Sequence, residues 1–148
     1  MIVLRDFVSS DIPALQKHCY PDLTGQEIQE MMEQWNQEEY AGKYFKLFAV
    51  TDGQTLVGSI SLYQHTKSIV SFGPEIFTEY RQRGYASAAI REAFPIAKDK
   101  GYRIVLDQVR SDNTASIALH QKLGFEMDAC EYKNKKGNRV YLFLKLLQ

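Results

Sequence analysis

The stretch Tyr80-Arg81-Gln82-Arg83-Gly84-Tyr85-Ala86-Ser87 sets two guanidiniums just ahead of a glycine and small residues. Before it, Phe72-Gly73-Pro74-Glu75-Ile76-Phe77 reads as a strand. After it, Ala88-Ala89-Ile90-Arg91-Glu92-Ala93-Phe94 has helical spacing. A strand that turns through such a loop into a helix start builds an anion site. Successive backbone N–H groups point out of the turn, and the helix dipole adds partial positive charge. Gly84 and Ala86 allow a phosphate close to the backbone, where a larger side chain would hold it off. Arg81 and Arg83 can add charge-assisted contacts to a phosphate or diphosphate. Taken alone, Arg-x-x-Gly-x-Ala also fits an ordinary strand-to-helix turn with solvated arginines.

Other reactive residue types lack the spacing for chemistry. Cys19 and Cys130 are far apart and form no CxxC pair, which favours two free thiols in a reducing cytoplasm. His18, His65 and His120 share no metal-ligand spacing with each other or with the cysteines, so no metal is expected. Neither Gly-x-x-x-x-Gly-Lys-Ser/Thr nor Gly-x-Gly-x-x-Gly occurs, which weakens a nucleotide-binding reading of the turn.

The bulk composition is that of one globular domain spanning residues 1–148, with 45% hydrophobic and 24% charged residues. That length can bury a core without disulfides or metal. The formal net charge of zero gives no electrostatic support to nucleic-acid or membrane-surface binding. The N-terminus turns charged at Arg5-Asp6, so neither a signal peptide nor a membrane span is expected.

The elements that must position the turn follow in order. Ile2 to Phe7 suggests a strand. Ser9-Ser10-Asp11 offers a cap to a helix carrying Ile12, Leu15 and Cys19, with Pro13 tolerated in its first turn. Thr24-Gly25-Gln26-Glu27 fits a capping box for a second helix through Ile28, Met31, Met32 and Trp35. Asp22, Glu27, Glu30, Glu33, Glu38 and Glu39 stand between His18 and Gly42 with no Lys or Arg among them. This is either a solvated helix face or an acidic wall that draws in a cation.

Phe45–Thr51 and Thr55–Tyr63 read as a hairpin around Asp52-Gly53-Gln54. A further strand runs from Ser68 to Phe77, and Pro74 predicts a bulge or a lost pairing within it. Pro95 predicts a kink or an early stop in the helix that buries Ala86, Ile90, Ala93 and Ala97. Arg103–Val109 is a strand, and Ser111-Asp112-Asn113-Thr114 caps a helix that Gly124 closes. Phe125–Tyr132 and Val140–Leu146 complete a hairpin around a basic turn. The order β-α-α-β-β-β-α-β-α-β-β predicts an α/β fold with a mixed sheet and helices on both faces.

Together these residues resemble the GNAT N-acetyltransferase family, essentially over the whole chain and most sharply from Val70 to Phe125. Arg81-x-x-Gly84-x-Ala86 stands where that family has its Gln/Arg-x-x-Gly-x-Gly/Ala loop. Asn113-Thr114-Ala115-Ser116-Ile117-Ala118-Leu119-His120-Gln121-Lys122-Leu123-Gly124-Phe125 is similar to its Asn-x-x-(Ala/Ser)-x-x-(Leu)-Tyr-x-Lys-x-Gly-Phe segment, apart from one position. In flavour it is nearest the branch of ribosomal-protein N-terminal and spermidine acetyltransferases. The resemblance implies that Pro74, Glu75 and Ile76 pair with the pantetheine arm of acetyl-CoA. It places the diphosphate on the amides of Arg81, Gln82, Arg83, Gly84, Tyr85 and Ala86, with Ser87 at the helix start. It also implies that Asn113 contacts the arm.

Two positions depart from the family pattern. The tyrosine proposed to protonate the leaving thiolate is His120 here. A tyrosine (pKa ~10) stays protonated at neutral pH, whereas an unperturbed histidine (~6.5) is mostly neutral and offers one N–H, so His120 is either the catalytic residue, in a stabilising role, or a helix histidine with no catalytic part. The second departure is the base. Gln108 occupies the place of a glutamate that serves some members, and Ser71 aligns near another. Glu75, Asp107 and Asp112 remain, and the base stays unassigned. Freeing a lysine-like amine at pH 7 costs about 4–5 kcal/mol and an α-amine about 1. A weak base therefore suits a protein N-terminus, whereas the acidic second helix suits a polyamine. The resemblance implies a cytoplasmic acetyltransferase acting on a primary amine, by direct attack within a ternary complex. A homodimer stays open, and no nucleic-acid or membrane partner is expected. The alternative is a domain that binds acyl-CoA without turnover, as a sensor or interaction module.

Overall fold

The computed structural model describes residues 1–148. The chain opens with β1 (Ile2–Arg5), a short 3-10 turn at Ser9–Asp11, α1 (Ile12–His18) and α2 (Gly25–Trp35). A meander follows of β2 (Phe45–Asp52), β3 (Thr55–Gln64) and β4 (Ile69–Ile76). After a 3-10 turn at Thr78–Tyr80 come α3 (Tyr85–Asp99), β5 (Ile104–Arg110) and α4 (Thr114–Lys122). The chain ends in β6 (Glu126–Met127), β7 (Tyr132–Lys133) and β8 (Arg139–Leu146). The eight strands form one sheet in the order β1-β2-β3-β4-β5-β8-β6, and β7 also pairs with β8. Only β4 and β5 run parallel. The mixed sheet is therefore as the element order predicts.

Helices cover both faces. Ile90, Ala93 and Ala97 of α3 pack with Val50, Val57, Ile60, Leu62, Val105 and Phe143 of the sheet. On the other face Leu15, Ile28 and Met32 of α1 and α2 meet Phe7, Ala49, Leu56 and Phe77. Burying apolar side chains of this size contributes roughly 1.5–3 kcal/mol each, so these layers fix the sheet that carries the site. The second helix starts where its capping box predicts: the Glu27 N–H donates to Thr24 Oγ1 and the Thr24 N–H to Glu27 Oε1.

Three local expectations need revision. Pro95 lies inside α3 and does not stop it early, since the helix continues to Asp99. Pro95 and Arg91 are exposed, so water can take the carbonyl that the missing N–H leaves free. Among the predicted buried face, Ala86 is half-exposed while Ser87 and Ala89 are buried. The strand predicted over Phe125–Tyr132 divides into β6 and β7. Asp128 divides it: its N–H donates to the Leu142 carbonyl while its Oδ1 turns back to accept from the Cys130 N–H.

No bulge forms at Pro74. Pairing between β3 and β4 runs unbroken from Gly58–Ile76 to Gln64–Val70, with Ile60 opposite Pro74. The Phe77 N–H bonds the Val57 carbonyl, whereas the Phe72 N–H points the other way, to Asp107 of β5. Pro74 shares the parity of Phe72, so its nitrogen faces β5 and its missing N–H costs no bond to β3. The pairing that β4 loses is on its β5 edge.

Candidate active site

β4 and β5 are paired at Ile69–Ile104 and Val70–Val105 and nowhere further. Beyond Val70 the two strands part, and the β5-facing backbone of Pro74 and Ile76 has no strand beside it. Arg81 Nε fills one of these positions by donating to the Ile76 carbonyl at 2.9 Å. The register pairs Glu75 with Ser59, which turns its backbone groups toward β3, and its side chain is exposed with Arg81 3.9 Å away. Of the three residues expected along a pantetheine arm, Pro74 and Ile76 thus present backbone to the opening and Glu75 does not.

The opening leads to the turn before α3. Gln82 takes φ +64° and Gly84 φ +82°. These left-handed residues swing the chain so that α3 starts at Tyr85 with its first amides outward. No protein group accepts a hydrogen bond from the amides of Gln82 to Ser87, whereas the Arg81 N–H is taken by the Thr78 carbonyl. A Cβ built on Gly84 meets nothing within 4 Å, so the space beyond the turn is open. The Ser87 hydroxyl is buried, with no hydrogen-bond partner in the protein. A row of free amides, an orphaned hydroxyl and a helix dipole suit a diphosphate. Arg83 lies over the Tyr80 ring at 5.6 Å, and the Tyr85 hydroxyl donates to Asp52 at 2.7 Å. That bond, with help from the N-terminal amine, holds the Asp52 carboxyl below its usual range.

His120 occupies a different setting from the one expected. It is only 4% exposed. Its Nε2 lies 2.9 Å from Asp107 Oδ2, and its Nδ1 lies 2.8 Å from the Ser116 carbonyl. The Ser116 carbonyl can only accept, so Nδ1 carries a proton, and Nε2 faces the Asp107 carboxyl. Burial by itself pulls the His120 pKa down, but the bonds to Asp107 and the Ser116 carbonyl and the Asp107 charge leave it raised. Both ring nitrogens thus have partners within the protein, where the sequence suggested one N–H free for a thiolate. Phe125 and Phe143 pack on the ring at 4.8 and 5.2 Å between centroids.

The remaining carboxylates also have partners. Asp107 is 4% exposed, on the same face of β5 as Val105 and Val109. Of the three carboxylates left open as a base, it is the one turned inward, as its alternation with Val105 and Val109 signals. Asp112 pairs with Arg110 at 3.1 Å, leaving Asn113 to cap α4 through Oδ1 and the Ser116 N–H. Asn113 Nδ2 is thus the part of that side chain left for a ligand. In the acidic segment, Glu38 lies 3.4 Å from Lys100 and 3.9 Å from Lys46, and Glu27 closes the capping box. Burial, and then the charge of Glu75, push the Cys19 thiol up, so it is no thiolate at neutral pH. At the apex of the opening, Ser71 Oγ donates to the Leu106 carbonyl and meets His65 Nε2 at 2.6 Å. No group of His, Cys, Asp and Glu residues is arranged to hold a metal ion.

A mixed sheet with one parallel pair splayed above a free-amide turn defines the class of acyl-CoA-dependent acyltransferases. The family model described as an acetyltransferase (GNAT) domain matches residues 2–126, and the chain belongs to that family. A curated relative, the SPbeta prophage-derived uncharacterized N-acetyltransferase YokL of Bacillus subtilis (strain 168), is 31% identical over 97 residues. That match covers 64% of this chain and 55% of the relative, so the chain spans about half of that protein's length. Among solved structures, spermidine N-acetyltransferase from Vibrio cholerae in complex with CoA and spermine superposes with a TM-score of 0.75 at 17% identity, over 99% of this chain and 95% of that one. An acetyl transferase from Salmonella typhimurium that modifies the N-terminal serine of ribosomal protein L7/L12 gives 0.76 at 17%, over 99% and 95%. At such identities the likeness speaks to the fold. The longest helices fall short of a membrane span.

Proposed function

We propose that this chain transfers the acetyl group of acetyl-CoA to a primary amine. The observation that carries this reading is the run of acceptor-free amides from Gln82 to Ser87 at the mouth of the β4–β5 opening. Acetyl-CoA supplies an activated acyl thioester. The free amides and the Ser87 hydroxyl would hold its diphosphate, and the Pro74 carbonyl and Ile76 N–H would line its arm with Asn113 Nδ2. Holding both reactants in one opening replaces a bimolecular encounter by an oriented one, a gain that reaches about 7–11 kcal/mol in the best cases.

The acceptor class follows from which bases are free. Asp107 is committed to His120 and the Phe72 N–H, and Asp112 to Arg110. With both engaged, an amine that is already partly unprotonated at neutral pH is favoured, and a protein N-terminal α-amine meets that condition at a cost of about 1 kcal/mol. Glu38 is shared by Lys46 and Lys100, which weakens the acidic wall a polyamine would need. The V. cholerae neighbour, described with spermine, keeps polyamines in the test. Two free cysteines support a reducing, cytoplasmic setting.

The test is release of free thiol from acetyl-CoA with a panel of peptides bearing free α-amines, lysine side-chain amines and polyamines. Release with at least one α-amine peptide is expected. Binding of acetyl-CoA without release across the panel would instead support a sensor.

A further inference from the structure

Two backbone groups that a parallel ladder would join are each diverted to a side chain at the point where β4 leaves β5. The Ile104 N–H donates to the Ser68 carbonyl, and Val70 lies opposite Val105. Continuing that pattern, the next rung from β4 would run from the Phe72 N–H to the Leu106 carbonyl. Neither group makes it. The Phe72 N–H donates to Asp107 Oδ1 at 2.9 Å, and the Leu106 carbonyl accepts from Ser71 Oγ. Both groups are satisfied, so no unpaired polar atom drives the strands back together.

We propose that Asp107, braced by His120, is the positioning residue that fixes where the β4–β5 opening begins, so that the edge beyond Phe72 stays available to the coenzyme arm. The coenzyme part of this rests on the acetyltransferase reading; the strand-parting part does not.

Three observations support it. No bulge in β4 makes the strands part, since its pairing with β3 is continuous from Gly58–Ile76 to Gln64–Val70. Asp107 extends into the gap from β5 with both oxygens used, Oδ1 on Phe72 and Oδ2 on His120 Nε2. His120 cannot turn away without leaving the carboxylate unpaired, because its Nδ1 is bound to the Ser116 carbonyl and its ring lies against Phe125 and Phe143. A buried carboxyl group with the His120 ring on one oxygen and an amide on the other is held in a single orientation. In this role α4 sets the opening through His120 without that residue touching the reacting atoms.

The experiment is nuclear magnetic resonance on the full-length chain, joined to coenzyme A calorimetry. In the wild type, a scalar coupling across the hydrogen bond from the Phe72 amide nitrogen to the Asp107 side-chain carboxylate carbon is expected. A coupling to the Leu106 carbonyl carbon, or none to Asp107, would overturn the proposal without any variant. Asp107→Ala should change Phe72 amide exchange at least tenfold and weaken coenzyme A binding at least tenfold. Asp107→Asn keeps an acceptor for Phe72 and should restore both to within about threefold. Equal Phe72 exchange and equal affinity in wild type and Asp107→Ala would sink the idea, as would failure of Asn to rescue. If the wild type binds no coenzyme A, the acetyltransferase reading fails, and the coupling and exchange still decide whether Asp107 parts the strands.

Discussion

His120 Nε2 and Asp107 Oδ2 lie 2.9 Å apart, with both side chains buried. Removing either member strands the other as an uncompensated buried group. Such losses cost about 3–5 kcal/mol, although the intact pair need not outdo a well-packed apolar pair. Asp107→Ala and His120→Phe should therefore each lower unfolding free energy by about 3 kcal/mol. The double substitution should cost less than the two single losses added. Urea denaturation of the four proteins in the cycle measures this, and additive losses would show that the two residues do not share an ion pair.

The same pair predicts how stability varies with pH. The folded His120 pKa is raised above its unfolded value near 6.5. A raised pKa contributes stability that is complete below the unfolded value and is lost as pH climbs through the folded one. The wild type should thus lose stability above about pH 6.5, and His120→Phe should lack that part of the slope. Urea midpoints from pH 6 to 9 test the sign. A wild-type slope unchanged in the Phe variant would mean that His120 does not gain a proton on folding.

The sheet, its two helical layers and the turn before α3 were legible from residues alone, for local reasons. Thr24 and Glu27 cap α2 by contacts three residues apart, and Gly84 takes the left-handed φ its type allows. At Pro74 the sequence offered a bulge or a lost pairing, and the structure has no bulge toward β3 and no pairing with β5. A proline signals a missing N–H, but only register tells which neighbour that nitrogen faces. His120 was legible as an unusual residue at a telling place. Its partner was not, because Asp107 is thirteen positions earlier and meets it only once α4 packs on β5. Period-two alternation through Val105, Asp107 and Val109 was the signal that could have placed Asp107 inside.

Gly84 offers the most direct probe of the turn. At φ +82° a residue with a Cβ is strained by about 1–2 kcal/mol. The Cβ would also project into the open space beyond the amides. Gly84→Val should weaken coenzyme A binding at least tenfold and raise KM for acetyl-CoA more than it lowers kcat. Gly84→Asn, a residue that tolerates the left-handed region, should be less affected in stability. Calorimetry with coenzyme A checks the affinity, and an unchanged value in the Val variant would remove the turn from the cofactor site.

Ser87 separates phosphate recognition from backbone strain, because Ser87→Ala leaves the helix geometry alone. Its buried hydroxyl has no partner in the free protein. Deleting an unsatisfied polar atom should raise stability slightly, whereas deleting a ligand's hydrogen bond should weaken binding. Ser87→Ala is therefore expected to melt at or above the wild-type temperature while binding coenzyme A about 3- to 10-fold less tightly. Loss of stability with unchanged affinity would assign the hydroxyl to packing.

Cys19 provides the test of direct transfer. Burial and the nearby charge of Glu75 both raise the pKa of its thiol. Its raised pKa keeps it protonated at neutral pH, and a protonated thiol is a poor nucleophile. Cys19→Ser should therefore retain most of the wild-type kcat with whichever amine the panel identifies. Initial-rate patterns for acetyl-CoA and amine should intersect rather than run parallel, as a ternary complex requires. Parallel patterns, together with loss of activity in Cys19→Ser and an acetyl group on Cys19 by mass spectrometry, would replace direct attack by a covalent intermediate.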